Sequence, residues 1–194
     1  MKRLLSIFLA VLLLFPALAM AIDTQVGTTY VNEDPYYSYT YPEEWVMINK
    51  DTVSLLMGLA ANTLASGYAD AIKNMGIVMF MAPDFQEFAI VMTQYLGMDI
   101  SAELLISLLP MLAETVSAQS PGTEIKGDGE LIQQGGNTFA KILVYVPVAE
   151  GNMVIAMYIT TANENLYMIF CYKAEQEADF AAFESSLASF SMIK

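Results

Sequence analysis

The chain contains no histidine and only one cysteine, Cys171, among its 194 residues. Without histidine it can form neither a Ser-His-Asp triad, nor a Cys-His dyad, nor a histidine-ligated metal site. One cysteine permits no internal disulfide, so the fold must be stable without one. These absences exclude the catalytic and metal-binding classes that depend on histidine or on paired cysteines.

Basic residues are also scarce, with 8 Lys+Arg against 21 Asp+Glu and a formal charge of −13. Nucleic-acid-binding proteins need a basic footprint, so we expect no nucleic-acid partner. The only arginine is Arg3, and arginine is the residue that binds phosphates and carboxylates through two parallel hydrogen bonds. The case for a nucleotide or sugar-phosphate site is therefore weak, and we predict no cofactor.

The N-terminus has the pattern of a secretory signal peptide. Two basic residues precede an apolar stretch over residues 4–15, and Ala19 and Ala21 are the small residues that a signal peptidase recognises. We predict a signal peptide over residues 1–21, cleaved after Ala21 or after Ala19. An uncleaved membrane anchor is the alternative, but the apolar stretch is short for a span of roughly 20 residues. The prediction is a bacterial exported protein, secreted or extracytoplasmic, with no stable transmembrane span after cleavage.

The remainder is predicted to be a loose, polar segment over residues 22–35 and a single α+β domain over residues 36–194. Aromatic and β-branched runs bounded by turn residues predict strands. These cover residues 36–41, 45–49, 77–81, 88–95, 124–133, 137–146, 153–161 and 166–172. Glycine and asparagine turns at hairpin spacing make the last four strands an antiparallel meander. Helices are predicted over residues 53–74, 101–117 and 178–187. Ser101 opens the second helix, and Pro110 implies a kink or a late start in it. Its predicted buried side carries Leu104, Leu105, Leu108, Leu109, Leu112 and Val116.

The predicted strands are apolar on both faces. In residues 166–172 one face carries Leu166, Met168 and Phe170, and the other carries Tyr167 and Ile169. In a sheet with one solvent-exposed face, apolar and polar residues would alternate along each strand. Both faces therefore need cover, which the three helices can supply. The predicted fold class is α+β, with an antiparallel β-sheet sandwiched between helices as an α/β/α sandwich.

Two stretches resemble a known family. The segment YTYPEEW at residues 39–45 is similar to the opening hairpin of PsbP-like domains, which share their fold with the Ran-binding Mog-type proteins. Residues 166–170, followed by residues 179–190, resemble the last strand, last helix and terminal Ser-Phe of that family. The resemblance covers about residues 36–193.

The resemblance implies a non-catalytic fold. Such proteins stabilise a photosynthetic assembly in plants and cyanobacteria, and the Mog-type binds a small GTPase. The residues of this chain do not support binding to either of these partners. The family's metal-associated sites include histidine, which is absent here, and its basic docking surfaces require more cations than this chain carries.

Candidate catalytic groups are few. Cys171 stands in a continuous apolar run, where burial raises the pKa of a thiol and lowers its reactivity, so we interpret it as a core residue. Neighbouring carboxylates could serve acid–base catalysis or bind Ca²⁺, but each pair falls at a turn or on a short exposed strand, where acids are normally solvated. These pairs are Glu43 with Glu44, Asp84 with Glu87, and Asp128 with Glu130. We predict neither catalytic nor metal-binding residues.

The first predicted helix has an unusually wide apolar face, with no charge over residues 53–69. Deep burial, a docking surface and a transmembrane helix are the alternatives. We predict an interaction surface formed by Leu55, Met57 and Leu59, with Trp45 close by in sequence; the alternative for Trp45 is a place in the core.

The predicted function is an exported, non-catalytic binding or assembly module of the bacterial cell envelope or extracellular space. Its partner would be an unknown envelope or extracellular protein. The alternative is a carrier of a hydrophobic small molecule or lipid, held in a pocket between helix and sheet.

Overall fold

A computed structural model describes residues 24–26, 29–48, 76–83, 87–111, 122–148, 151–174 and 178–192. The strands in chain order are β1 (Thr24–Val26), β2 (Thr29–Glu33), β3 (Tyr36–Thr40), β4 (Val46–Ile48), β5 (Gly76–Met81), β6 (Phe88–Tyr95), β7 (Glu124–Gln134), β8 (Asn137–Val148), β9 (Gly151–Ala162) and β10 (Asn165–Ala174). The described helices are α1 (Ala102–Ser107) and α2 (Ala181–Ser186), and a 3₁₀ helix over Leu187–Ser189 follows α2.

Eight of these strands form one antiparallel sheet in the order β1-β4-β5-β6-β10-β9-β8-β7. The predicted four-strand meander is confirmed as β7 to β10. Its turns carry the positive φ angles that two-residue hairpins require, at Gly135 and Gly136 (58° and 83°) and at Asn163 and Glu164 (52° and 63°). The pairing of β6 with β10, over 70 residues later in the chain, joins the meander to the strands that precede it.

Both faces of the sheet are buried, as the strand patterns predicted. One face, which we call the aliphatic face, carries mainly Ile, Val, Met and Leu side chains, including Met79, Ile90, Ile142, Ile155 and Met168. The opposite face, which we call the aromatic face, carries Tyr and Phe side chains, including Phe80, Phe139, Tyr158 and Tyr167. Alternate residues of the same strands supply the two faces.

The aliphatic face is covered by α1 over β7, β8 and β9. The aromatic face is covered by the β2–β3 hairpin together with α2 and the 3₁₀ helix. Tyr37 of β3 stacks on Phe190 with ring centroids 5.4 Å apart, and Tyr39 meets Phe80 edge-on at 5.4 Å. The antiparallel sheet is thus confirmed, but the helix-sandwiched α/β/α description is not, because a β-hairpin forms part of the cover.

Residues 22–35 were predicted to be loose, and the structure instead places two strands there. β2 pairs with β3 in the register Tyr30–Tyr39 and Asn32–Tyr37. Its side chains alternate between exposed and partly buried along the strand, and the Tyr30 ring lies 5.9 Å from that of Phe80. Strand β2 is formed through its pairing with β3, which the polar composition of residues 29–33 did not indicate.

Helix α1 begins where Ser101 caps it, since the Ser101 hydroxyl accepts a hydrogen bond from the Leu104 backbone N–H at 3.2 Å. The helix ends at Ser107, and a turn at Leu108 separates it from residues 109–111, which are helical again. An interruption at this point agrees with Pro110, which lacks the N–H that a continuous helix needs. The rest of the helix predicted to residue 117, and the whole helix predicted over residues 53–74, lie outside the described residues.

None of the helices within these described stretches is long and apolar enough to cross a membrane.

Candidate interaction surface

Of the four predicted interaction residues, only Trp45 lies within the described residues. Trp45 is buried, and its ring stacks on Phe183 of α2 with centroids 6.1 Å apart, which agrees with the core alternative. Leu55, Met57 and Leu59 lie outside the described residues. The pocket predicted between helix and sheet for a hydrophobic ligand is not tested by the described residues, so the carrier role stays a prediction.

Cys171 lies fully buried on the aromatic face, and burial raises the pKa of its thiol well above the ordinary value. The thiol is therefore held protonated, as expected of a core residue.

Two of the six candidate carboxylates form ion pairs with lysines, and Asp84 lies outside the described residues. Glu130 contacts Lys141 at 2.6 Å and Glu87 contacts Lys173 at 2.7 Å. Lys141 also reaches Glu184 at 2.7 Å, and the Tyr158 hydroxyl donates to the same Glu184 oxygen at 3.1 Å. Among the described residues, no three acidic or thiol groups lie close enough together to hold a metal ion.

A different part of the molecule exposes large apolar side chains. Tyr95, Met98 and Leu104 are 68%, 60% and 51% exposed, and all three fall within ten residues at the end of β6 and the start of α1. Single exposed apolar residues are common, but such a concentration on a short segment is typical of an interaction site. We call these three residues, with the carboxylates of Asp99, Glu103 and Glu164 beside them, the 95–104 surface.

The backbone of this surface is fixed by hydrogen bonds to the β9–β10 hairpin. The N–H groups of Leu96 and Gly97 donate to the Glu164 carbonyl at 2.8 and 3.3 Å. The Thr161 hydroxyl accepts from the Ile100 N–H at 2.9 Å and donates to the Ile100 carbonyl at 2.7 Å. Gly97 adopts a φ of 73°, a left-handed conformation that suits glycine and lets the chain turn after β6. These hydrogen bonds therefore fix the backbone conformation of residues 96–100.

Its charged groups are fixed as well. The Tyr95 hydroxyl donates to Glu164 Oε2 at 2.9 Å, and this hydrogen bond, with the adjacent negative charge, raises the pKa of Tyr95. Asp99 Oδ1 accepts from the Glu164 N–H at 2.8 Å. At the start of α1, hydrogen bonds from its own backbone N–H and from Ser101 lower the pKa of Glu103. The surface therefore presents exposed apolar side chains beside hydrogen-bonded carboxylates.

Sequence reasoning did not single out this surface, and it assigned Leu104 to the buried side of its helix. In the structure Ala102, Leu105 and Leu109 are the residues of this stretch that are buried. Their spacing of three and four residues marks a narrow buried stripe, and Leu104 falls outside it. The cap at Ser101 was visible in the sequence, but the direction from which the sheet approaches the helix was not.

The chain has a PsbP-like fold, as its similarity to a solved structure of that kind shows. Among solved structures, the chain is similar to cyanobacterial PsbP (CyanoP) from Synechocystis sp. PCC 6803, with a TM-score of 0.55 and 16% identity over 89% of this chain and 94% of that one. It is also similar to a protein of Bacteroides thetaiotaomicron VPI-5482, with a TM-score of 0.52 and 12% identity over 88% of this chain and 50% of the other.

A third similar structure is LpqN of Mycobacterium tuberculosis, described as involved in cell envelope biogenesis, with a TM-score of 0.44 and 10% identity over 86% of this chain and 85% of that one. No protein family model and no curated protein sequence matches the chain. At these identities the likeness shows the fold alone, so the PsbP-like part of the resemblance is supported and the Mog-type part stays a prediction.

Proposed function

We propose that this protein is a non-catalytic binding module that acts outside the cytoplasm and binds another protein through the 95–104 surface. The observation that carries the proposal is the exposure of Tyr95, Met98 and Leu104 on a backbone fixed by hydrogen bonds.

A fixed backbone matters because association is opposed by the loss of conformational freedom. A flexible loop must be ordered when it binds, whereas a preorganised one loses little entropy. The Thr161 hydroxyl binds both the backbone N–H and the carbonyl of Ile100, so the segment from β6 to α1 is already held in its conformation. Tyrosine and methionine are also side chains that occur often in the centres of protein interfaces.

The polar groups elsewhere favour a structural role over a catalytic one. Lys141 and Lys173 are the centres of the ion pairs with Glu130, Glu184 and Glu87, and each joins different elements of the fold. A site for acid–base chemistry would instead bring carboxylates with separated pKa values into a cleft. The location outside the cytoplasm is supported by the signal-peptide pattern of the sequence.

The test is photo-crosslinking in the cells that naturally produce the protein. A benzophenone amino acid is placed at Met98, and the matched control carries it at Leu131, which is 44% exposed on the edge strand β7. We expect a discrete covalent adduct with another protein at Met98 and none at Leu131. The adduct should disappear when Tyr95→Ser and Leu104→Ser are added. Absence of an adduct at Met98, or the same adduct at Leu131, would overturn the proposal.

A further inference from the structure

We infer that the partner of the 95–104 surface is a protein with a basic face, in which lysine or arginine side chains border an apolar depression. The inference rests on the proposed function and adds the chemistry of the partner.

The first step is the position of the carboxylates. Asp99, Glu103 and Glu164 are all exposed, and each is oriented by a hydrogen bond: Asp99 by the Glu164 N–H, Glu164 by the Tyr95 hydroxyl and Glu103 by the start of α1. They border Tyr95, Met98 and Leu104 along the chain. An apolar centre with a charged border is the usual arrangement of a protein interface.

The second step is that this negative charge is not neutralised within the described part of the chain. There, Lys141 and Lys173 are paired with Glu130, Glu184 and Glu87, and Lys126 lies over the Tyr145 ring at 3.9 Å from its centroid. None of these lysines is paired with a carboxylate of the 95–104 surface. A partner that supplied the missing cations would form charge-assisted hydrogen bonds without displacing an existing ion pair.

The third step compares other occupants. A second copy of this chain would bring the same carboxylates together, and each copy carries a formal charge of −13, so repulsion disfavours self-association through this surface. An anionic membrane is disfavoured for the same reason, because surface-binding segments carry Lys and Arg beside their apolar residues. Among occupants that could cover the apolar residues, a basic protein is the one that the charge favours.

The experiment adds charge variants to the Met98 crosslinking assay. The test chain carries Asp99→Asn, Glu103→Gln and Glu164→Gln, which remove three charges but keep hydrogen-bond acceptors at the same positions. The matched control carries Glu43→Gln, Glu44→Gln and Asp128→Asn, three exposed acids elsewhere. We expect the test variants to lower the adduct yield about fivefold, because three exposed ion pairs contribute modestly. The control should leave the yield unchanged, and salt should lower that of the unaltered chain.

Each result has a distinct meaning. An adduct whose yield does not respond to the test variants or to salt would overturn the basic partner and leave the binding function standing. An adduct containing two copies of this chain would overturn the inference in favour of self-association. Co-sedimentation of the full chain with phosphatidylcholine–phosphatidylserine vesicles, lost in Tyr95→Ser/Leu104→Ser, would favour a membrane. Absence of any Met98 adduct would overturn both the function and the inference.

Discussion

At the scale of single residues, the turn between β7 and β8 shows how a backbone position can be restricted from two directions. A side chain at Gly135 would place its Cβ 2.1 Å from the Ala188 carbonyl oxygen of the 3₁₀ helix, and the φ angle there is 58°. At Gly136 the φ angle is 83°, yet a Cβ would meet nothing within 4 Å. The two neighbours share the conformational restriction and differ in the space around them.

Gly135→Ala is therefore expected to destabilise the fold by about 3 kcal/mol, since it combines an unfavourable φ with a clash against backbone. Gly136→Ala is the matched control and should lower the free energy of unfolding by only about 1 kcal/mol. Urea denaturation followed by circular dichroism measures both. Equal losses for the two variants would show that the packing of the turn against the 3₁₀ helix does not contribute.

At the scale of elements, Lys141 connects three parts of the molecule. It lies on β8, opposite Glu130 of β7 in the strand register, and its ammonium also contacts Glu184 of α2. Burial lowers the pKa of Lys141, but the hydrogen bonds that its ammonium donates to the two carboxylates, with their negative charges, outweigh this effect, so its pKa is raised overall. The ion pairs thus hold the edge strand and α2 to the sheet.

Lys141→Met keeps most of the side-chain stem and removes the charge, and it should cost about 2 kcal/mol of unfolding free energy, because Glu184 loses its cation in a partly buried place. Adding Glu184→Gln should recover part of that loss, since no unpaired charge then remains. Lys126→Met is the control, since Lys126 is exposed and loses only its contact with the Tyr145 ring, so the free energy of unfolding should fall by less than about 1 kcal/mol. Undiminished stability in Lys141→Met would mean that desolvation cancels the ion pairs.

At the scale of the whole molecule, four buried tyrosines make the fold sensitive to alkali. Burial raises the pKa of Tyr37, Tyr39, Tyr158 and Tyr172 above the ordinary value of 10.0. A group whose pKa is higher in the folded than in the unfolded state stabilises the fold fully below the unfolded pKa, and this stability is lost as the pH rises above it. Lys141 and Cys171, whose pKa values are also raised, act in the same direction.

The urea midpoint should therefore be constant from about pH 7 to pH 9 and fall steeply above about pH 10. At about pH 11 each buried tyrosine would contribute a loss of roughly 1.4 kcal/mol, so four together approach the whole stability of an ordinary domain. Ultraviolet absorbance of phenolate from these buried tyrosines should rise with unfolding and not before it. Tyrosines that all ionise near pH 10 in the folded protein would contradict this prediction.

Much of the fold was visible in the sequence because its causes are local. Alternate residues that are apolar on both sides require a sheet covered on two faces, and positive-φ turns such as Gly135-Gly136 require hairpins. Ser101 and Pro110 likewise indicated where α1 begins and where it is interrupted. Each of these features depends on residues within a few positions of one another.

What only the tertiary structure decided depends on residues that are distant in the chain. β6 pairs with β10, and the β2–β3 hairpin lies on the aromatic face. No local pattern of apolar residues indicates that these segments are neighbours. Trp45 is buried with its ring on Phe183 of α2, whereas Leu104 is exposed, because the side of an element that becomes buried is set by the direction from which its neighbours approach. The sequence by itself determined a two-sided antiparallel sheet without histidine chemistry, and the tertiary structure decided which apolar residues remain outside it for a partner to contact.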